Sequence, residues 1–203
     1  MPAGAGGRSS DPCRHAAQAD LTPKIMHAME QLNLDINIRA SLAQQILTSL
    51  ESATQGSMAQ LRGSLAEGRA DPYSDIDVFW EVPDELFQSS VDRLPEVLSE
   101  IHPVECLRSA PDFQNSDRRR LVFIQFGDIP LFWRVDLDIF AQSIQRDYKY
   151  DLDNRAARGD DWSLTHSALM NAIGAVKALL RNKEGEAKQL LVQGFHRVGL
   201  TVP

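Results

Sequence analysis

The residues of this chain best suited to chemistry are two aspartates in the run Ser74-Asp75-Ile76-Asp77-Val78-Phe79-Trp80-Glu81-Val82. Alternation of apolar and polar residues makes this run a strand, with Asp75, Asp77 and Phe79 on one face and Ile76, Val78 and Trp80 on the other. Two carboxylates on one face are separated by about 7 Å along the backbone. Like charges so placed repel and resist desolvation, so a positive partner is expected between them. Oxygen ligands on a rigid element suit Mg²⁺, which binds through one or two carboxylates plus substrate phosphates. The bland alternative, exposed acids on an edge strand, leaves the apolar flanks and the upstream Gly63-Ser64 pair unexplained. A glycine at the end of a preceding strand, Met58 to Arg62, allows close backbone approach, and the N–H groups and serine hydroxyl beyond it can hold phosphate oxygens.

Gly63-Ser64 followed by Ser74-Asp75-Ile76-Asp77-Val78 resembles the signature of the DNA polymerase beta superfamily of nucleotidyltransferases, and most of all its small antibiotic-adenylyltransferase-like branch. The likeness runs from about residue 57 to 140. It implies a third carboxylate on a later strand, and Phe132-Trp133-Arg134-Val135-Asp136-Leu137-Asp138-Ile139-Phe140 alternates strictly between apolar and charged residues. The family pattern falls on Asp136, with Asp138 as the alternative one same-face step further on. The resemblance implies two Mg²⁺ ions held by Asp75, Asp77 and Asp136, and a nucleoside triphosphate, ATP by preference, gripped by Gly63, Ser64 and Ser74. It further implies transfer of the nucleoside monophosphate to an acceptor hydroxyl with release of pyrophosphate. Lys177, which interrupts the apolar rhythm of its helix, would reach the triphosphate; the competing reading is a lysine snorkelling from an exposed face. One departure is Glu67, where many relatives carry a basic residue, with Arg62 or Arg69 as substitutes. Acceptors compatible with the likeness are a small molecule or a protein side chain, as in antitoxin-type relatives. A nucleotide-binding regulatory module without turnover is a further alternative, and the intact acids argue against it.

These residues need a scaffold, and the expected one is α/β with a mixed sheet, N-terminal helices and a short C-terminal helical hairpin. Residues 1–22, rich in Ala, Gly, Ser and Pro, read as a disordered tail. Residues 23–145 read as the nucleotidyltransferase domain, 146–161 as an acidic linker and 162–203 as a helical subdomain. Pro23 opens a first helix through Gln31. Asp35 caps a second, whose face combines Ile36, Ala40, Ala43, Leu47 and Leu50 with Ile38, Leu42 and Ile46. A helical stretch from Pro83 to Ile101 is expected to kink or split at Pro95. Arg118-Arg119-Arg120 reads as a solvated loop end before a hairpin that delivers Asp136. In the C-terminal helices the expected buried faces are Leu169, Ile173, Val176 and Leu180, then Ala187, Leu190, Leu191, Phe195 and Val198. The three tryptophans, Trp80, Trp133 and Trp162, read as core.

Composition narrows the class. The 203 residues, 43% of them hydrophobic, suffice for a packed core. A net charge of −7 gives no general attraction to nucleic acid, so nucleic acid is not an expected partner. Acids between Asp147 and Asp161 are candidates for recognising a cationic acceptor. Cys13 and Cys106 have no metal spacing and read as reduced thiols. No stretch has the length of a membrane span. A cytoplasmic monomer or homodimer is expected.

Overall fold

The computed structural model describes residues 34–144, 147 and 149–201. The expected tail and first helix, and the ends of the expected linker and hairpin at 146 and 202–203, lie outside the described residues. Helix α1 (Ile36–Ala53) begins where expected: the Asp35 carboxylate accepts a hydrogen bond from the Asn37 N–H at 2.8 Å. Its buried face differs from expectation. Leu42, Ala43, Ile46 and Leu50 are buried together with Arg39, while Ile36, Ile38 and Ala40 are exposed. The apolar stripe is rotated because the Arg39 guanidinium is drawn inward to backbone carbonyls of the loop before the acids.

Strands β1 (Met58–Leu61), β2 (Ile76–Val82), β3 (Val104–Ser109), β4 (Arg119–Phe126) and β5 (Val135–Ala141) form one mixed sheet in the order β1-β2-β5-β4-β3. β2 and β5 are parallel; the other neighbours are antiparallel. Ile76, Val78, Trp80 and Val82 of β2 and Val135, Leu137 and Ile139 of β5 are buried, so the centre of the sheet is its core. Helix α1 lies against β1, β2 and helix α3 (Phe87–Ser99). α3 follows a 3₁₀ turn at Asp84–Leu86 and runs through Pro95 without splitting. Leu94, Val97 and Leu98 are buried on both sides of the proline, and that packing holds the helix together.

Two further expectations are corrected. Arg119 and Arg120 belong to β4 and are 6% and 5% exposed. Arg119 meets Asp138 at 3.4 Å and Arg120 donates to the Phe113 carbonyl, so partners make burial tolerable. The C-terminal helices exist, as α4 (Leu164–Leu180) and α5 (Glu184–Arg197), with the Ser163 hydroxyl accepting from the His166 N–H at 3.1 Å to cap the first. Their contact, however, is made by small residues. Ala175, Ala178 and Ala187 form the shared core with Leu190, and Gly194 lies close to Asn171 and Ala168. Leu169, Val176, Leu191, Phe195 and Val198 stay exposed. The segment expected as linker is tied to the loop after β3: the Asn115 N–H donates to Ala157 and the Gly159 N–H to Pro111, each at 2.8 Å. Among the described residues no helix is long and apolar enough to cross a membrane.

Candidate active site

β1 ends at Leu61 and the chain turns into a single helical turn, α2 (Gly63–Ala66). Gly63 has φ +57°, and a Cβ there would run into the Asp77 carboxylate. Glycine is required twice over, by the left-handed backbone and by the close approach. A branched residue at 63 is therefore excluded by the backbone as well as by space, contrary to what a strand-end position predicts.

The loop to β2 is built to hold the acids. Asp71 and Ser74 form a closed turn, in which the Ser74 hydroxyl donates to Asp71 Oδ1 at 3.0 Å and the Tyr73 N–H donates to the same oxygen. Arg39 donates to the carbonyls of Asp71 and Ser74, and the Trp133 indole N–H donates to Pro72 at 2.8 Å. Ser74 is thus engaged within its own loop. Trp133 is core, as expected, and clamps the loop from β5's side.

Parallel pairing sets Asp77 directly opposite Asp136 and Phe79 opposite Asp138; Asp75 comes just before, where the Ile76 N–H donates to the Arg134 carbonyl. The structure thus brings Asp75, Asp77, Asp136 and Gly63 together. Asp138 lies one same-face step away, paired with Arg119. Burial, then the charges of Asp136 and Asp75, push the Asp77 carboxyl above its ordinary range. Burial also raises Asp136, partly offset by Arg134, whose guanidinium forks onto both of its oxygens at 2.6 Å. Burial raises Asp138 too, against the pull of Arg119.

Lys177 is 7% exposed and ion-paired to Asp75, so it does not snorkel. Burial lowers its pKa and Asp75 pulls it back up. One turn on, Arg181 grips Asp71 with two hydrogen bonds, at 2.5 and 2.8 Å. The sequence reading missed Arg181, although its spacing of four from Lys177 puts both cations on one helix face. The expected substitutes for a basic residue at 67 lie elsewhere: Arg69 pairs with exposed Glu67, and Arg62 stacks on Phe79 at 4.0 Å.

The donor set fits a hard divalent cation in kind: carboxylate oxygens on two adjacent strands, with room kept beside Asp77 by Gly63. Lys177 and Arg134 hold the two outer acids. Among the described residues no group of three or more His, Cys, Asp and Glu side chains is gathered as a preformed metal cage.

Residues 43–121 match the family model of the nucleotidyltransferase domain. This stretch contains Gly63, Ser64, Ser74, Asp75 and Asp77. The matched stretch is similar to a nucleotidyltransferase domain and lies within a mixed α/β fold. No curated protein gives a match. Among solved structures the chain is similar to Cid1, described for RNA terminal uridylyl transferase activity, at 14% identity over 83% of this chain and 45% of that one, with a TM-score of 0.40. It is also similar to the polymerase core of TRAMP, an RNA surveillance complex, at 13% identity, 84% and 44% coverage and a TM-score of 0.38. A third is the GLD-2/RNP-8 complex, at 17% identity, 61% and 44% coverage and a TM-score of 0.39. The chain spans less than half the length of each.

Proposed function

We propose that the chain transfers a nucleoside monophosphate from a nucleoside triphosphate to an acceptor hydroxyl, releasing pyrophosphate, with ATP as the donor that the family resemblance implies. The observation that carries this reading is the β2–β5 register, which sets Asp77 opposite Asp136 with Asp75 beside them and Gly63 against Asp77.

In this reading Asp75, Asp77 and Asp136 are the catalytic carboxylates. Asp136 is preferred to Asp138 because its register partner is an acid, whereas Asp138 stands opposite Phe79 and is neutralised by Arg119. These three would hold divalent cations, Mg²⁺ by their oxygen-only chemistry, which supply charge stabilisation of the transferred phosphoryl group and acidify the acceptor hydroxyl. Asp136 would also accept the hydroxyl proton, as a carboxylate within reach of that hydroxyl can. Ser64 and the N–H groups after Gly63 receive the terminal phosphates. Lys177 and Arg181 supply the positive charge that Glu67 does not, and orient the triphosphate across the acids.

The test is pyrophosphate release from ATP and Mg²⁺ by the whole chain, with glycerol and a tetraribonucleotide each supplied as the acceptor hydroxyl, compared with Asp75→Asn and Asp77→Asn. Release by the wild type alone supports transfer; equal release by either variant overturns it.

A further inference from the structure

A second cavity of about 260 Å³ lies beside the acids, over the β5-β4-β3 half of the sheet and under α4 and α5. It shares Arg134 and Met170 with the smaller cavity that holds Asp75 and Lys177. Its walls carry three guanidinium groups, Arg108, Arg134 and Arg197, and among the described residues no carboxylate lines it. Arg134 is already paired with Asp136, so the charges that an anion would complete are those of Arg108 and Arg197.

Two observations show that the cavity is built to receive something. Arg108 Nε and Nη1 and the Ser167 hydroxyl are buried with no hydrogen-bond partner, and Ser167 is 1% exposed. Buried donors left without acceptors cost about 1–3 kcal/mol each, which a ligand oxygen would recover. The cations are also held rigidly against aromatic rings. The Arg108 guanidinium lies over Trp162 at 4.5 Å, that of Arg134 over Phe123 at 4.9 Å, and the two rings meet edge-on at 6.0 Å. Arg197 is fixed by Asn171 Oδ1 at 2.8 Å and by the Ser167 carbonyl. Trp162 is thereby a wall of this cavity rather than core. Burial, helped by Arg108 and Arg134, lowers the pKa of nearby His166, a sign of the positive potential there.

We propose that this cavity is the acceptor pocket and that the acceptor carries a phosphate ester next to a planar ring. The assignment rests on the reading of Asp136 as a catalytic acid, because Arg134 joins Asp136 to the cavity. Arginine forks match phosphate oxygens bidentately, and the aromatic walls fit a ring alongside. A cationic acceptor would meet the like charges of Arg108 and Arg197.

The experiment is calorimetric binding of phenyl phosphate, benzyl alcohol and benzylamine to the whole chain. Phenyl phosphate is expected to bind at least about tenfold more tightly than the other two, one charged hydrogen bond being worth that much. Arg108→Met and Arg197→Met should each lose about tenfold, and Lys177→Met, which loosens the helices without touching the anion, should lose less than either. If Arg108→Met does not fold, Arg108→Lys keeps the charge, removes the fork and should lose several-fold. Equal binding of the three probes overturns the proposal. So does a loss confined to Lys177→Met, which would put the anion among the triphosphate cations. A tetraribonucleotide binding tenfold more tightly than phenyl phosphate would place the ester at a strand end; equal or weaker binding would place it in a small molecule. No arm needs turnover. Binding as expected without pyrophosphate release would refute transfer and keep the anion pocket, whereas release without the expected binding would refute the pocket alone.

Discussion

The sheet and the C-terminal helix pair are held in different ways. At the centre of the sheet Val78, Leu137 and Ile139 are sealed, and removing any of them would leave a cavity. In the helix pair Leu169, Leu191 and Phe195 are 53%, 40% and 40% exposed, and the two helices meet through alanine and glycine. What fastens the pair to the acid-bearing loop and strand is ionic: Lys177 to Asp75 and Arg181 to Asp71. The difference teaches that one part is a scaffold of fixed geometry and the other a cover docked on it by charge. The candidate chemistry falls on the seam.

The strongest way to test this division is to remove charge from the scaffold side. Asp77→Asn should cost about a thousandfold in pyrophosphate release. Its melting temperature should hold or rise, because an amide relieves the repulsion among buried carboxylates. A variant that unfolds instead would show that the acid holds the sheet together. Next comes the cover side. Lys177→Met should raise the triphosphate KM by about 10- to 100-fold, the worth of a charge-assisted hydrogen bond. Amide exchange should quicken in α4 and α5 but not in β2 and β5; equal quickening in both would dissolve the distinction.

A smaller effect is expected from pH. Hydrogen bonds from Arg181 hold the Asp71 carboxyl well below its ordinary value of 3.8. A lowered native pKa contributes stability that is complete above the ordinary value and lost as pH falls through the native one. The wild type should therefore exceed Asp71→Asn in resistance of α4 to exchange at pH 6, with the gap narrowing below pH 3.8. A gap that widens on acidification would have the wrong sign. The smallest effect belongs to the exposed apolar face: Leu191→Gln should change stability by no more than about 0.5 kcal/mol in denaturant titration. A cost near that of a core truncation would mean that the face is covered in solution.

Much of the scaffold was legible in sequence, because strict alternation around Asp77 and Asp136 states both a strand and its buried face. The cap at Asp35 and the hairpin into β5 were legible for similar local reasons. What escaped notice was tertiary. Arg119 and Arg120 read as surface until β5 supplies Asp138 opposite and the loop supplies the Phe113 carbonyl. Arg39 turned inward for carbonyls that only the folded loop presents. In the helix pair the periodicity located the largest apolar residues, but contact is made where backbones approach most closely, at Gly194 and the alanines. Arg108 gave no signal at all: only the fold sets it beside Arg134 and Arg197.

The parallel pairing of β2 with β5 has a consequence for the order of assembly. Asp77 and Asp136 are 59 positions apart in the chain, while β1–β2 and β3–β4–β5 are each antiparallel units of strands consecutive in sequence. Local units close at small entropic cost and form early; the β2–β5 junction closes a long loop and follows. The acids therefore ride on separate pieces and first confront one another when those pieces dock. Mutual repulsion then acts as a brake on the last association of the sheet, so the charges proposed for phosphoryl chemistry also slow its birth.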